Sequence, residues 1–146
     1  MRTTLRDTPG PHSYASLLGL RLRDWSLLSR AVNEGFAYDT FEFLRRSSGL
    51  SSDDLLQWLQ IAPRTLTRRK QQGQFAPDES DRLLRAARVL GKAIALFDGD
   101  REAALEWLRS PLRALGGESP LDVATNDVGA REVENLIGRL EHGVFS

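Results

Sequence analysis

The chain has 146 residues, of which 40% are hydrophobic and 27% charged, so it can build one good core or two small ones sharing an interface. Twenty basic residues balance twenty acidic ones, and any binding of nucleic acid must therefore come from a local concentration of cations. There is no cysteine, which excludes disulfides, thiolate metal sites and cysteine catalysis. The sequence also shows no signal-peptide core and no apolar run of membrane-spanning length. We expect a cytoplasmic protein that does not enter a membrane.

The spacing of apolar residues is helical along almost the whole chain, and the alternating patterns of strands are missing, which predicts an all-α fold. Residues 1–12 are polar with several Pro and Gly, and we expect a disordered tail there. Helices are predicted at about 13–19, 23–34 and 38–48, the last ending at Gly49. Their inward faces are predicted to carry Leu27, Leu28, Ala31, Val32, Phe41, Phe43 and Leu44, and the core is predicted to include Trp25, Trp58 and Trp107.

Residues 51–75, SSDDLLQWLQIAPRTLTRRKQQGQF, predict two short helices joined by a tight turn. Ser51 can cap the first helix, Pro63 suits the first turn of the second, and Gly73 ends it. The second helix carries four cations and no acid, and Arg64, Thr65, Arg68, Arg69 and Gln72 lie largely opposite the inward Leu66. We interpret the pair as a helix-turn-helix unit whose second helix contacts DNA. The predicted contacts are Arg64, Thr65, Arg68, Arg69, Lys70 and Gln72. An alternative is a solvated helix face, because a helix dipole also favours cations near the C-terminus.

Two positions of this turn are unusual. Gln60 stands where many helix-turn-helix units have a glycine with positive φ, and we expect a turn with slight strain there. Ala62, at the predicted cap of the second helix, is a poor capping residue.

A long helix is predicted from Pro77 to about residue 97, and Asp100 can cap the next one. Ser110-Pro111 and Ser119-Pro120 each join a capping serine to a proline, which predicts a helix starting at each pair. A last helix is predicted at about 127–141. From Gly116 onward six acidic residues stand against two basic ones, a net charge of −4, so this end would be repelled by DNA and suits a protein partner. The alternative is an ordinary capping subdomain with a frayed tail.

Catalysis has little support in the sequence. His12 and His142 lie near opposite ends, no spacing suits a metal, and the paired acids are explained as charges in the first turns of helices. There is no phosphate-binding loop or dinucleotide fingerprint. We expect neither an enzyme nor a cofactor.

The final segment, WLRSPLRALGGESPLDVATNDVGAREVENLIGRLEHGVFS, closely resembles the toxin-binding domain of the Xre/MbcA/ParS-type antitoxins. Upstream, PDESDRLLRAARVLGKAIALF is similar to the helix that links this domain to its helix-turn-helix in that family, and IAPRTLTRRKQQG resembles the second helix of the unit. The resemblance covers roughly residues 16–146. Only the predicted tail, residues 1–12, lies outside it. The resemblance implies 13–98 as a DNA-binding and dimerisation domain with its linking helix at about 77–97, and 99–146 as a toxin-binding domain.

What the resemblance implies is a homodimer that binds operator DNA, represses its own operon and neutralises a RES-domain toxin that consumes NAD. NAD would be the toxin's substrate and not a cofactor of this chain. The predicted toxin contacts are Leu115, Gly116, Gly117, Pro120, Leu121, Arg131, His142, Gly143, Val144 and Phe145. The apolar Val144-Phe145 tip predicts a plug for the toxin's substrate cleft. Segment 23–48, rich in aromatic residues, is the candidate dimer interface.

Two further hypotheses remain open at this point. The chain could be a helix-turn-helix transcriptional regulator without a toxin partner, whose C-terminal domain only builds the dimer. It could also be a helical interaction protein in which RTLTRRK is only a surface.

Overall fold

The computed structural model describes residues 12–22 and 24–143, and that part of the chain folds into α-helices and short 3₁₀ helices. The α-helices are α1 Trp25–Glu34, α2 Asp39–Ser48, α3 Ser52–Leu59, α4 Pro63–Gln72, α5 Pro77–Leu96, α6 Arg101–Arg109, α7 Pro120–Val123 and α8 Asp127–Glu141, and the 3₁₀ helices are Ser13–Leu18 and Arg113–Leu115. Within the described residues β-structure is limited to two isolated bridges, Ala37 with Gln74 and Leu112 with Glu118. The all-α prediction is confirmed. No described helix has both the length and the apolar character needed to cross a membrane.

Helix α5 is the centre of the molecule, because helices from both halves of the chain pack on it. Its partners include the first 3₁₀ helix, α1, α2 and α3 on the N-terminal side and α6 and α8 on the C-terminal side. Leu83, Val89 and Leu90 are fully buried on α5. Buried alanines and Gly91 leave room on α5 for neighbouring elements to pack closely. A Cβ at Gly91 would lie 3.0 Å from the Cβ of Tyr14. One continuous core therefore joins the two halves.

The predicted helix ends are largely confirmed, because they depend on local capping. Ser51 accepts a hydrogen bond from the Asp54 N–H at 3.1 Å, and Asp100 accepts one from the Ala103 N–H at 3.1 Å. Gly49 and Gly73 end α2 and α4 with φ of 77° and 81°. The helix predicted at 13–19 is a 3₁₀ helix and not an α-helix.

The predicted helix start at Ser110-Pro111 is wrong. The hydroxyl of Ser110 donates to the Glu106 carbonyl in the preceding helix at 2.7 Å and so caps nothing downstream. Gly116 and Gly117, with φ of 71° and 88°, reverse the chain so that the Leu112 N–H donates to the Glu118 carbonyl. This tight reversal leaves room for a single 3₁₀ turn.

Some predicted core residues lie on the surface. The exposed fraction is 70% for Trp25, 42% for Leu27 and 41% for Phe43, so their prediction as inward residues is wrong. Helix α1 fully buries only Leu28. Trp58 is buried as predicted, and Trp107 is half-buried. The predicted disordered tail, apart from His12, lies outside the described residues.

Candidate DNA-binding helix and C-terminal surface

Helices α3 and α4 form the predicted helix-turn-helix, with Gln60-Ile61-Ala62 between them. Gln60 is left-handed with φ of 56°, which confirms the expected strained turn, and its side-chain amide donates to the Gln57 carbonyl at 2.6 Å. Ala62 provides no side-chain cap for α4, also as expected. The turn therefore forms without a glycine at position 60 and without a side-chain cap at position 62.

Helix α4 lies on the surface and contains no fully buried residue. Leu66 packs against the core as predicted, while Arg64, Arg68 and Lys70 are exposed. Within the described residues no carboxylate lies within salt-bridge distance of any of these three cations. Thr65 is half-buried. Three exposed positive charges thus lie on a helix that can approach a duplex.

Arg69 has a different environment from the other cations of α4. Its Nε and Nη2 atoms donate to the two carboxylate oxygens of Glu79 at 2.7 and 2.9 Å, and its Nη1 donates to Gln72 at 3.0 Å. Glu79 is only 5% exposed and also accepts from the Ala76 N–H at 2.8 Å. Burial opposes ionisation of Glu79, but the hydrogen bonds from Arg69 and Ala76 outweigh it and hold the pKa of this carboxyl below its usual value. Arg69 therefore fastens α4 to α5, and its predicted DNA contact stays a prediction.

The predicted toxin contacts divide by exposure. Leu115 and Pro120 are buried and Leu121 is half-buried, whereas Gly116, Gly117, Arg131, His142 and Gly143 are exposed. The guanidinium of Arg131 is 2.8 Å from the Asp127 carboxylate one turn earlier. Val144 and Phe145 lie outside the described residues. The exposed members can meet a partner directly, while the buried ones support the shape of the surface.

Sequence reasoning missed Val128, which is 79% exposed in the first turn of α8. It lies off the stripe of Ala130, Val133 and Leu136 that this helix buries, and that periodicity was the signal that could have identified it. Val128 places an apolar side chain beside the polar surface around Arg131.

Helix α8 is held on α5 by an ion-pair cluster. Glu134, whose side chain is 11% exposed, accepts from Arg88 at 3.0 Å and from Lys92 at 2.9 Å. Burial acts to raise the pKa of Glu134, but the hydrogen bonds from Arg88 and Lys92 are stronger and leave it below the usual value. The pair Arg109–Asp54, at 3.4 Å, is exposed and contributes little. The C-terminal surface therefore has a defined orientation relative to α5.

Fold and surfaces together define a helix-turn-helix protein that carries a second helical unit on its linking helix. Residues 27–88 match the family model of the antitoxin Xre-like helix-turn-helix domain, and residues 92–143 match that of the antitoxin Xre/MbcA/ParS C-terminal toxin-binding domain. The chain is 38% identical over 130 residues to Antitoxin Xre of Yersinia enterocolitica, covering 88% of each chain. It is 37% identical over 120 residues to Antitoxin Xre of Photorhabdus laumondii, covering 82% of this chain and 81% of the relative. Antitoxin Xre of Pseudomonas putida is 30% identical over 146 residues, with 95% and 89% covered.

The chain therefore belongs to the Xre antitoxin family. This confirms the resemblance seen in the sequence, with a DNA-binding helix-turn-helix followed by a toxin-binding domain. Members of the family are antitoxins and not enzymes, as expected.

Proposed function

We propose that this antitoxin neutralises a RES-domain toxin that consumes NAD and represses its own operon through helix α4. The observation that carries the proposal is the separation of charge. Three exposed cations lie on α4, while the part of the chain from Gly116 onward carries a net charge of −4. A cationic surface attracts the phosphate backbone, and an anionic one is repelled by it and stays open to a protein. The RES identity of the toxin comes from the resemblance of residues 107–146 to the Xre/MbcA/ParS-type antitoxins.

Neutralisation in this proposal is steric. Helix α8 ends at Glu141, and His142 and Gly143 are exposed, so the attachment point of the Val144-Phe145 tip is on the surface. An apolar Val-Phe pair has the chemistry to occupy a substrate cleft. NAD then fails to reach the toxin's active site.

Co-expression of toxin and antitoxin tests this mechanism. The double substitution V144D/F145S is expected to abolish protection of the cells from the toxin, because the tip can no longer enter an apolar cleft. The control S146A is expected to protect like the wild type. Both variants should bind DNA normally, since the helix-turn-helix is unchanged. Full protection by V144D/F145S would contradict the steric mechanism, and a RES-domain reading frame beside this gene would support the choice of toxin.

We further propose that the chain is a homodimer whose interface includes α1 and α2. Of the four large hydrophobic side chains that are exposed in the described part, three lie there: Trp25, Leu27 and Phe43. Phe36 and Phe41 of the predicted interface segment are buried in the core and cannot contribute contacts. A partner that covers Trp25 would remove a large apolar area from water.

Sedimentation equilibrium tests the dimer. The wild type is expected to sediment as a dimer, and W25S to dissociate at least roughly tenfold more readily, since a central Trp is a typical hot spot of an interface. V128S, which changes the exposed residue of α8, is the matched control and should leave the assembly unchanged. A wild type that sediments as a monomer would contradict the proposal.

A further inference from the structure

The position of α4 relative to α3 depends on a turn of three residues that lacks its usual support. Gln60 adopts a left-handed conformation that glycine would adopt without strain. Ala62 leaves the first N–H groups of α4 without a side-chain cap. Helix α4 also contains no fully buried residue, so apolar packing holds it only weakly. Another part of the molecule has to stabilise this turn.

Arg82 of helix α5 supplies that support from outside the turn. Its Nη1 donates to the Gln60 carbonyl at 2.7 Å and to the Leu59 carbonyl at 3.2 Å, the two carbonyls that end α3. Terminal carbonyls of a helix lack partners within the helix, and a cation there is also favoured by the helix dipole. The Asp78 carboxylate, 3.1 Å from Nη2, holds the guanidinium in place.

A second contact holds the other end of α4. Arg69, in its last turn, forms the two-pronged pair with the buried Glu79, which lies one helical turn before Arg82 on α5. The first turns of α5 thus bind both the entry and the end of α4. Since the side chain of Arg82 is 25% exposed and both of its terminal nitrogens already donate to the turn or to Asp78, it is not arranged as a contact to phosphate.

We propose that Arg82 is the positioning residue of the DNA-binding unit: by hydrogen bonding the Leu59 and Gln60 carbonyls it sets the angle at which α4 meets DNA and compensates for the missing turn glycine. The inference rests on DNA binding by α4. It assigns to Arg82 an indirect role, acting through the turn and not through the duplex.

The test measures binding of the duplex upstream of this reading frame as a function of salt. R82A is expected to bind roughly tenfold more weakly, because two charged hydrogen bonds to the turn are lost. Its salt dependence should equal that of the wild type, since no phosphate contact is removed. R85A is the matched control: Arg85 lies on the same helix and pairs with Asp81 at 3.8 Å, and it should leave binding unchanged.

Rescue separates positioning from a general loss of stability. In R82A/Q60G the glycine adopts the left-handed turn without help, and most of the lost affinity should return. Wild-type affinity of R82A, a salt dependence that falls by about one phosphate per subunit, or no rescue by Q60G would each overturn the proposal. If the wild type binds no duplex, autoregulation fails as a function. Thermal unfolding then still tests whether Arg82 supports the turn. R82A should lower the unfolding midpoint less in the Q60G variant than in the wild type.

Discussion

Replacing Gly129 by alanine is expected to lower the free energy of unfolding by about 3 kcal/mol or more and to abolish toxin binding. A Cβ at this position would lie 1.7 Å from the carbonyl oxygen of Val123 and 2.8 Å from its carbonyl carbon. Both are backbone atoms, so no side-chain rotation relieves the clash. The Gly129 N–H is also held at 2.8 Å by the Asn126 side chain, which caps α8. Helices α7 and α8 would therefore have to separate.

Gly138 offers a matched control on the same helix. A Cβ there meets no atom within 4 Å, so G138A should raise the free energy of unfolding by roughly 0.5–1 kcal/mol through better helix propensity. Urea unfolding of both variants gives the two values, and co-purification with the toxin gives the functional effect. A G129A variant that unfolds like the wild type would show that α7 and α8 do not approach each other as closely as described.

Removing Arg64 and Arg68 together is expected to weaken operator binding by roughly 2–6 kcal/mol if both side chains contact bases. Both are exposed on α4, without an acidic partner among the described residues, so the substitutions should cost little stability. R139A, which removes an exposed arginine from α8, is the control for a change of net charge. Electrophoretic mobility shift with the upstream duplex measures the effect. Unchanged binding of the double variant would favour the hypothesis of a helical interaction protein.

The salt dependence of binding distinguishes Arg69 from its neighbours. If only Arg64, Arg68 and Lys70 meet phosphates, a dimer releases about five counterions, whereas four cations per subunit would release about seven. We expect a release of about five counterions, because Arg69 already donates two hydrogen bonds to the Glu79 carboxylate. R69A should therefore lower affinity and stability but leave the slope unchanged.

Several elements could be predicted because their causes are local. The caps at Ser51 and Asp100 and the glycine ends of α2 and α4 follow from contacts within one turn of the chain. The long helix α5 was confirmed within one residue, since its apolar spacing spans five turns. The error at Ser110-Pro111 arose because Gly116 and Gly117 reverse the chain shortly after it. A capping pattern covers only the first turn of a helix and carries no information on residues that far downstream.

The candidate site was only partly predictable. The cations of α4 are visible in the sequence, but Arg64 and Arg69 are equivalent there: both are arginines on one short helix. The buried Glu79 separates their roles, and its position beside Arg69 depends on how α5 packs against α4. Nothing near Arg82 in the sequence connects it to the turn at Gln60, 22 positions earlier.

The sequence by itself determined the helical class, most helix ends, the cationic helix and the family of this antitoxin, since periodicity, capping and motif patterns act over a few residues or along continuous segments. Tertiary structure alone decided that Trp25 is exposed, that Arg69 holds α4 against α5, that Arg82 binds the turn before α4, and that Glu134 fastens α8. Burial and ion pairing depend on which helices meet, and helices far apart in the chain meet only when the core around α5 closes.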